Sequence, residues 1–127
     1  MKLSFDQASL TLTVTSSAGG VQTWPAANNV ASDSAGPWPP GVYTYVQHVT
    51  HADDGPDSAY GSYGGLLFNV PGRTGMEVHS GRQDVPDGLG RVGPAHCTEG
   101  CIRTTDAAVA AILAAMADDA LQDITVA

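Results

Sequence analysis

The sequence predicts a mainly β domain with one α-helix near its C-terminus. Three observations carry that prediction. Short stretches that alternate apolar and polar residues recur from the N-terminus to Ser80. The 15 glycines and 8 prolines punctuate them with turns. A single alanine-rich tract beyond Cys101 has helical spacing.

Leu3 and Phe5, then Leu10, Leu12 and Val14, alternate with polar neighbours and read as two short strands. Ala18–Gly20 marks a turn, and Ala27–Gly41 is a loop by composition. Val42–Val49 is rich in β-branched and aromatic residues and reads as a strand. A polar, glycine-containing loop from Thr50 to Gly65 follows, then a strand over Leu66–Val70. Met76–Ser80 is a short strand ending in a His-Ser pair, and Gly81–His96 is irregular. The helix opens just after Cys101, with Thr105 or Asp106 as its cap. Val109, Ile112, Leu113 and Met116 form its apolar face. Gln122–Ala127 closes the chain as a strand. No repeat or linker interrupts it, so the 127 residues read as one domain with one core.

The formal net charge of −8 would repel a phosphate backbone or an anionic membrane surface, so neither nucleic acid nor a membrane is expected as a partner. Amine-bearing substrates are compatible with it; solubility alone also accounts for it. No apolar run is long enough to span a bilayer, and the N-terminal stretch has no signal-peptide core. Action outside the cytoplasm would then need a non-Sec route or a longer chain.

The only two cysteines, Cys97 and Cys101, are open to three readings: a disulfide, half of a metal site, or a catalytic thiol with a bystander. A bond between them would close a tiny, strained loop with little entropic gain. A zinc site of His79, His96, Cys97 and Cys101 lacks the second ligand couple that structural zinc sites commonly show, so no metal is expected. His48 and His51, near Asp53 and Asp54, read as solvent-exposed. A nucleophilic thiol needs a base and preorganised amides for the developing oxyanion. The amides around Glu99, Gly100 and Cys101 are candidates for the second role. His79, at a strand end, is the candidate base. Cys97 reads as an inert small hydrophobe, and Trp24 and Trp38 read as core or loop anchors.

The "VHSG" segment at His79, followed at Cys101 by "TEGCIR", resembles the active-site signature of L,D-transpeptidases with the YkuD fold. Pro39, Gly41 and Tyr43 in "WPPGVYTY" match the family's strand entrance. Gly72–Arg73 and "GPWPPG" resemble a compact branch of peptidoglycan-targeting effectors delivered by type VI secretion. The resemblance spans about Pro39 to Thr104 and implies a YkuD-like β-sandwich with one α-helix after the catalytic cysteine. It implies that Cys101 attacks the diaminopimelate–D-Ala bond of a peptidoglycan stem peptide, with His79 as base and the Ser80 carbonyl orienting its ring. A thioester forms and D-Ala leaves. An amine acceptor then gives transpeptidation, and water gives carboxypeptidase activity. No cofactor is implied. A secretion apparatus and an immunity protein are the implied partners, and the cell envelope is the implied place of action. A non-catalytic peptidoglycan-binding module is the alternative from another class.

Arg103 would brace the loop or meet a substrate carboxylate. Thr98 belongs to the motif, and Tyr60 and Tyr63 would line the cleft or merely turn the chain. Glu99 departs from the family, which often has histidine there. A carboxylate at this position would raise the thiol pKa unless it points away or faces a substrate ammonium, the side-chain amine of diaminopimelate in this reading.

Overall fold

The computed structural model describes residues 1–127. β1 (Lys2–Asp6) and β2 (Thr11–Thr15) form an antiparallel hairpin. Their alternation buries Leu3, Phe5, Leu12 and Val14 on one face. β3 (Val21–Pro25) pairs with β2 and forms one edge of the sheet. On the other side of β1 lies β8 (Asp123–Val126), parallel to it and antiparallel to β4 (Gly41–Val49).

β4 changes partners along its length. Gly41–Thr44 pair with β8, whereas Tyr45–Val49 pair with β5 (Gly65–Phe68), with a register shift between Tyr45 and Gln47. Such an irregularity bends a strand and increases its twist. Beyond β5 come β6 (Glu77–His79), antiparallel, and β7 (Ile102–Arg103), parallel to β6. The strands therefore run β3-β2-β1-β8-β4-β5-β6-β7 in one hydrogen-bonded order. The chain is mainly β with one helix, as the sequence predicts, and its strands form a curled sheet that turns its corner within β4.

The expected helix is α1 (Asp106–Ala115), capped by Thr105, whose hydroxyl accepts from the Ala108 N–H at 3.1 Å. Thr105→Ala removes that bond and is expected to cost about 1 kcal/mol, read by urea denaturation. Val109 and Ile112 are fully buried, and Leu113 and Met116 pack against the core. The helix does not open directly after Cys101. β7 comes between, because Ile102 and Arg103 join the edge of β6 before the chain turns at Thr105. A two-residue strand is too short to show a period. The core closes around Trp38, whose indole is 1% exposed and meets Tyr43 and Phe68 edge-on at 5.6 and 6.0 Å.

Candidate active site

The parallel pairing of β6 with β7 builds the site. Val78 lies opposite Ile102 and His79 opposite Arg103. Both Val78 and Ile102 are fully buried in the core. Side chains alternate along a strand, so Glu77, His79, Cys101 and Arg103 are turned to the opposite face. A cavity of about 260 Å³ opens there, walled by His79, Cys101, Arg103, Tyr60, Thr98 and Glu99. Tyr63 is not among its walls; its ring is exposed and its carbonyl accepts from His48 Nε2 at 2.6 Å.

The loop before Cys101 is fixed by its carbonyls. Asn28 Nδ2 donates to the carbonyls of Gly100 and Cys101 at 2.9 and 3.0 Å, and Trp38 Nε1 donates to that of Gly100 at 2.8 Å. Asn28 is held in turn by the Trp38 N–H on its Oδ1 at 2.8 Å. Thr98 Oγ1 donates to the Cys101 carbonyl at 2.6 Å and accepts from the Gly100 N–H at 3.1 Å. Of the amides expected to meet an oxyanion, that of Gly100 is thus spent inside the loop. Those of Glu99 and Cys101 have no acceptor in the protein. Gly100 has φ of +142°, and a Cβ there would lie 3.1 Å from Met76 Cε, so only glycine fits without strain.

Cys101 Sγ accepts from the Glu77 N–H and donates to the Gly75 carbonyl, both at 3.4 Å. Burial pushes the thiol up to about 11. The Glu77 N–H opposes this, the Glu77 carboxylate adds to it, and the charge of Arg103 opposes it. The carboxylate acting on the thiol is therefore Glu77, two residues before His79 on the same strand face, and not Glu99. Glu77 is buried and accepts from His51 Nε2 at 3.0 Å. The His51 ring stacks on Tyr60 at 3.6 Å, and Tyr60 leans on His79 at 4.9 Å. His51 is accordingly part of the wall behind the site, not a free surface residue.

His79 Nδ1 lies 2.7 Å from the Ser80 carbonyl. A carbonyl only accepts, so Nδ1 carries the hydrogen and Nε2 keeps its lone pair. Burial pushes the imidazole down to about 4; the Ser80 carbonyl opposes, and the charges of Arg103 and His51 add. The resting pair is neutral thiol and neutral imidazole, and the hydrogen bonds of Sγ run to the first residue of β6 and the turn before it, not to His79. Ser80 is itself anchored: its Oγ donates to Asp106 Oδ1 at 2.5 Å at the start of α1, which Ser62 N–H also reaches at 3.1 Å. Gly81 follows because a Cβ there would sit 2.3 Å from the Ser58 carbonyl.

Arg103 is buried and braces the site. Its Nη1 donates to the carbonyls of His96 and Cys97 at 2.8 and 2.9 Å, its Nη2 to Ala59 at 3.0 Å, and its Nε to Ser80 at 3.3 Å. Arg73 does likewise at the far loop, donating to the carbonyls of Gly36 and Ala35 at 2.7 and 3.0 Å. Asp87, His96 and Cys97 bring one ligand atom each within 4.8 Å. The donor set suits a folded loop better than an ion. Asp87 already accepts from Arg91 Nε and the amides of Leu89, Arg91 and Cys97, and Arg103 Nη1 lies 3.1 Å from His96 Nδ1.

Sequence reasoning missed Asn28, Glu77, Asp106 and the role of Trp38. Alternation with His79 is a signal for Glu77, and the first helical position after the Thr105 cap is one for Asp106. Nothing local marks Asn28, which acts through carbonyls far along the chain. No protein-family model matches this chain, and neither a curated protein nor a solved structure matches it.

Proposed function

We propose that the protein is a cysteine L,D-transpeptidase acting on peptidoglycan stem peptides, and that its curled sheet is a compact version of the YkuD sandwich. The observation that carries this reading is one cavity lined by both His79 and Cys101. There His79 has its Nδ1 hydrogen fixed on Ser80, and the amide of Cys101 is unbonded. An acyl group of the stem peptide enters with its carbonyl oxygen at the Cys101 N–H. The thiol leaves the Gly75 carbonyl and attacks the acyl carbon as its proton passes to His79 Nε2. The C–N bond to D-Ala then breaks, and His79 returns the proton to the leaving amine. A thioester on Cys101 remains. An amine acceptor attacks it, losing its proton to His79, and the thiol is restored; water in its place gives the L,D-carboxypeptidase outcome.

Mass spectrometry of disaccharide tetrapeptides incubated with the protein tests the reading, by loss of D-Ala and formation of dimers or hydrolysed product. The reaction needs neutral His79 and a thiol that still holds its proton. kcat/KM is therefore expected to fall as pH drops through about 4, to remain level through neutrality and to fall again as pH rises through about 11. An acid limb near 6.5, the ordinary imidazole value, would contradict the buried base. No D-Ala release at any pH would remove the proposal.

A further inference from the structure

Two opposite charges on the cavity wall have no partner in the protein. Arg82 is half-buried and lines the cavity, yet its guanidinium makes no hydrogen bond or ion pair. Its backbone is firmly placed: φ is +54°, the N–H donates to the Ser58 carbonyl at 3.0 Å, and the carbonyl accepts from the Gly93 N–H at 2.6 Å. A non-glycine residue in that conformation is costly and is held by its surroundings. Glu99 lines the same cavity, and its exposed carboxylate is equally without a partner. The two do not pair with each other.

The neighbouring charges sharpen the polarity. Arg103 lies close enough to Arg82 for the two guanidinium groups to repel, which adds to the effect of burial in lowering the Arg103 pKa to about 10. Asp87, whose charge acts on Arg103, is already engaged by Arg91 and three amides. Arg82 itself is paired with no acid, and Glu99 with no base.

We propose that this cavity recognises a zwitterionic α-amino-acid head on the substrate, its carboxylate seated at Arg82 and its ammonium at Glu99. Guanidinium suits a carboxylate because its planar fork offers paired donors. Two groups on a single carbon, engaged at opposite charges, distinguish a zwitterion from a simple amine or a simple acid. This rests on the function proposed above: the side chain of diaminopimelate in a stem peptide ends in such a head, whereas a lysine side chain carries the ammonium alone.

The test separates binding from chemistry. Cys101→Ala protein, with Cys101→Ser as a second background, is titrated calorimetrically with three disaccharide tetrapeptides: one with the free diaminopimelate head, one with that head's carboxylate amidated, and one with its ammonium acetylated. Each modification is expected to weaken binding at least tenfold. Arg82→Gln should erase the penalty of amidation, and Glu99→Gln the penalty of acetylation. Modified ligands binding within twofold of the free head, or no binding of the free head, overturn the proposal. D-Ala release by the unaltered enzyme from the same three ligands reads the reaction itself. Release indifferent to the head group sinks the zwitterion site and leaves the enzyme. Selective binding with no release keeps the site and sinks the enzyme.

Discussion

Cys101→Ala is expected to abolish D-Ala release and the covalent adduct with a thiol-reactive β-lactam such as a carbapenem. His79→Ala should slow release by roughly 10²–10⁴-fold, the usual worth of a positioned general base. The effects follow from the resting state of the pair. With the thiol near 11 and the imidazole near 4, no standing thiolate–imidazolium pair exists, so the sulfur depends on proton transfer during attack. A simple alkylating agent offers no carbonyl to the Cys101 amide and gains nothing from the base. Iodoacetamide should therefore label Cys101 slowly at pH 7 and faster as pH approaches 11, while a carbapenem acylates it at neutral pH. Peptide mapping by mass spectrometry reads both. Cys97→Ala should keep the carbapenem adduct. An adduct that persists in Cys101→Ala, or a His79→Ala enzyme with full activity, would end the catalytic assignment.

Much of this machinery is legible from the sequence where a local period or a dense motif exists. The alternation of Leu3 and Phe5 and of Leu12 and Val14 gives β1 and β2, and the alanine-rich tract gives α1. His79 and Cys101 stand out through neighbouring glycines that the structure requires, Gly81 against Ser58 and Gly100 against Met76. What escapes is whatever depends on distant backbone. β3 is an edge strand whose side chains are largely exposed, so burial imposes no pattern on it. β7 is two residues long and includes a buried arginine. Asn28 and Trp38 hold the carbonyls of Gly100 and Cys101 across most of the chain, a role that needs only a donor in the right place. The corner of the sheet is hidden for the same reason: β4 reads as one strand, and only its exchange of β8 for β5 shows that it serves two.

Arg103→Met is expected to destabilise the fold by about 3–5 kcal/mol and to remove activity with it. The methionine fills similar apolar volume but leaves the half-buried carbonyls of His96 and Ala59 without a donor and that of Cys97 with His96 Nδ1 alone, and each such orphan costs about 1–3 kcal/mol. Those carbonyls belong to the segments on either side of the cavity, so their release also loosens Thr98–Cys101 and the Tyr60 wall. Arg103→Lys should recover only part of the loss, because an ammonium is a point donor. It cannot reach Ala59 on one side and Cys97 on the other while also serving Ser80. Urea denaturation and steady-state kinetics on the three proteins decide between brace and ligand. A brace gives a stability loss that parallels the loss of activity, with lysine intermediate in both. If Arg103→Met unfolds at the same urea concentration as the parent and only KM rises, the guanidinium holds a substrate carboxylate instead, and its four main-chain hydrogen bonds contribute nothing to the fold.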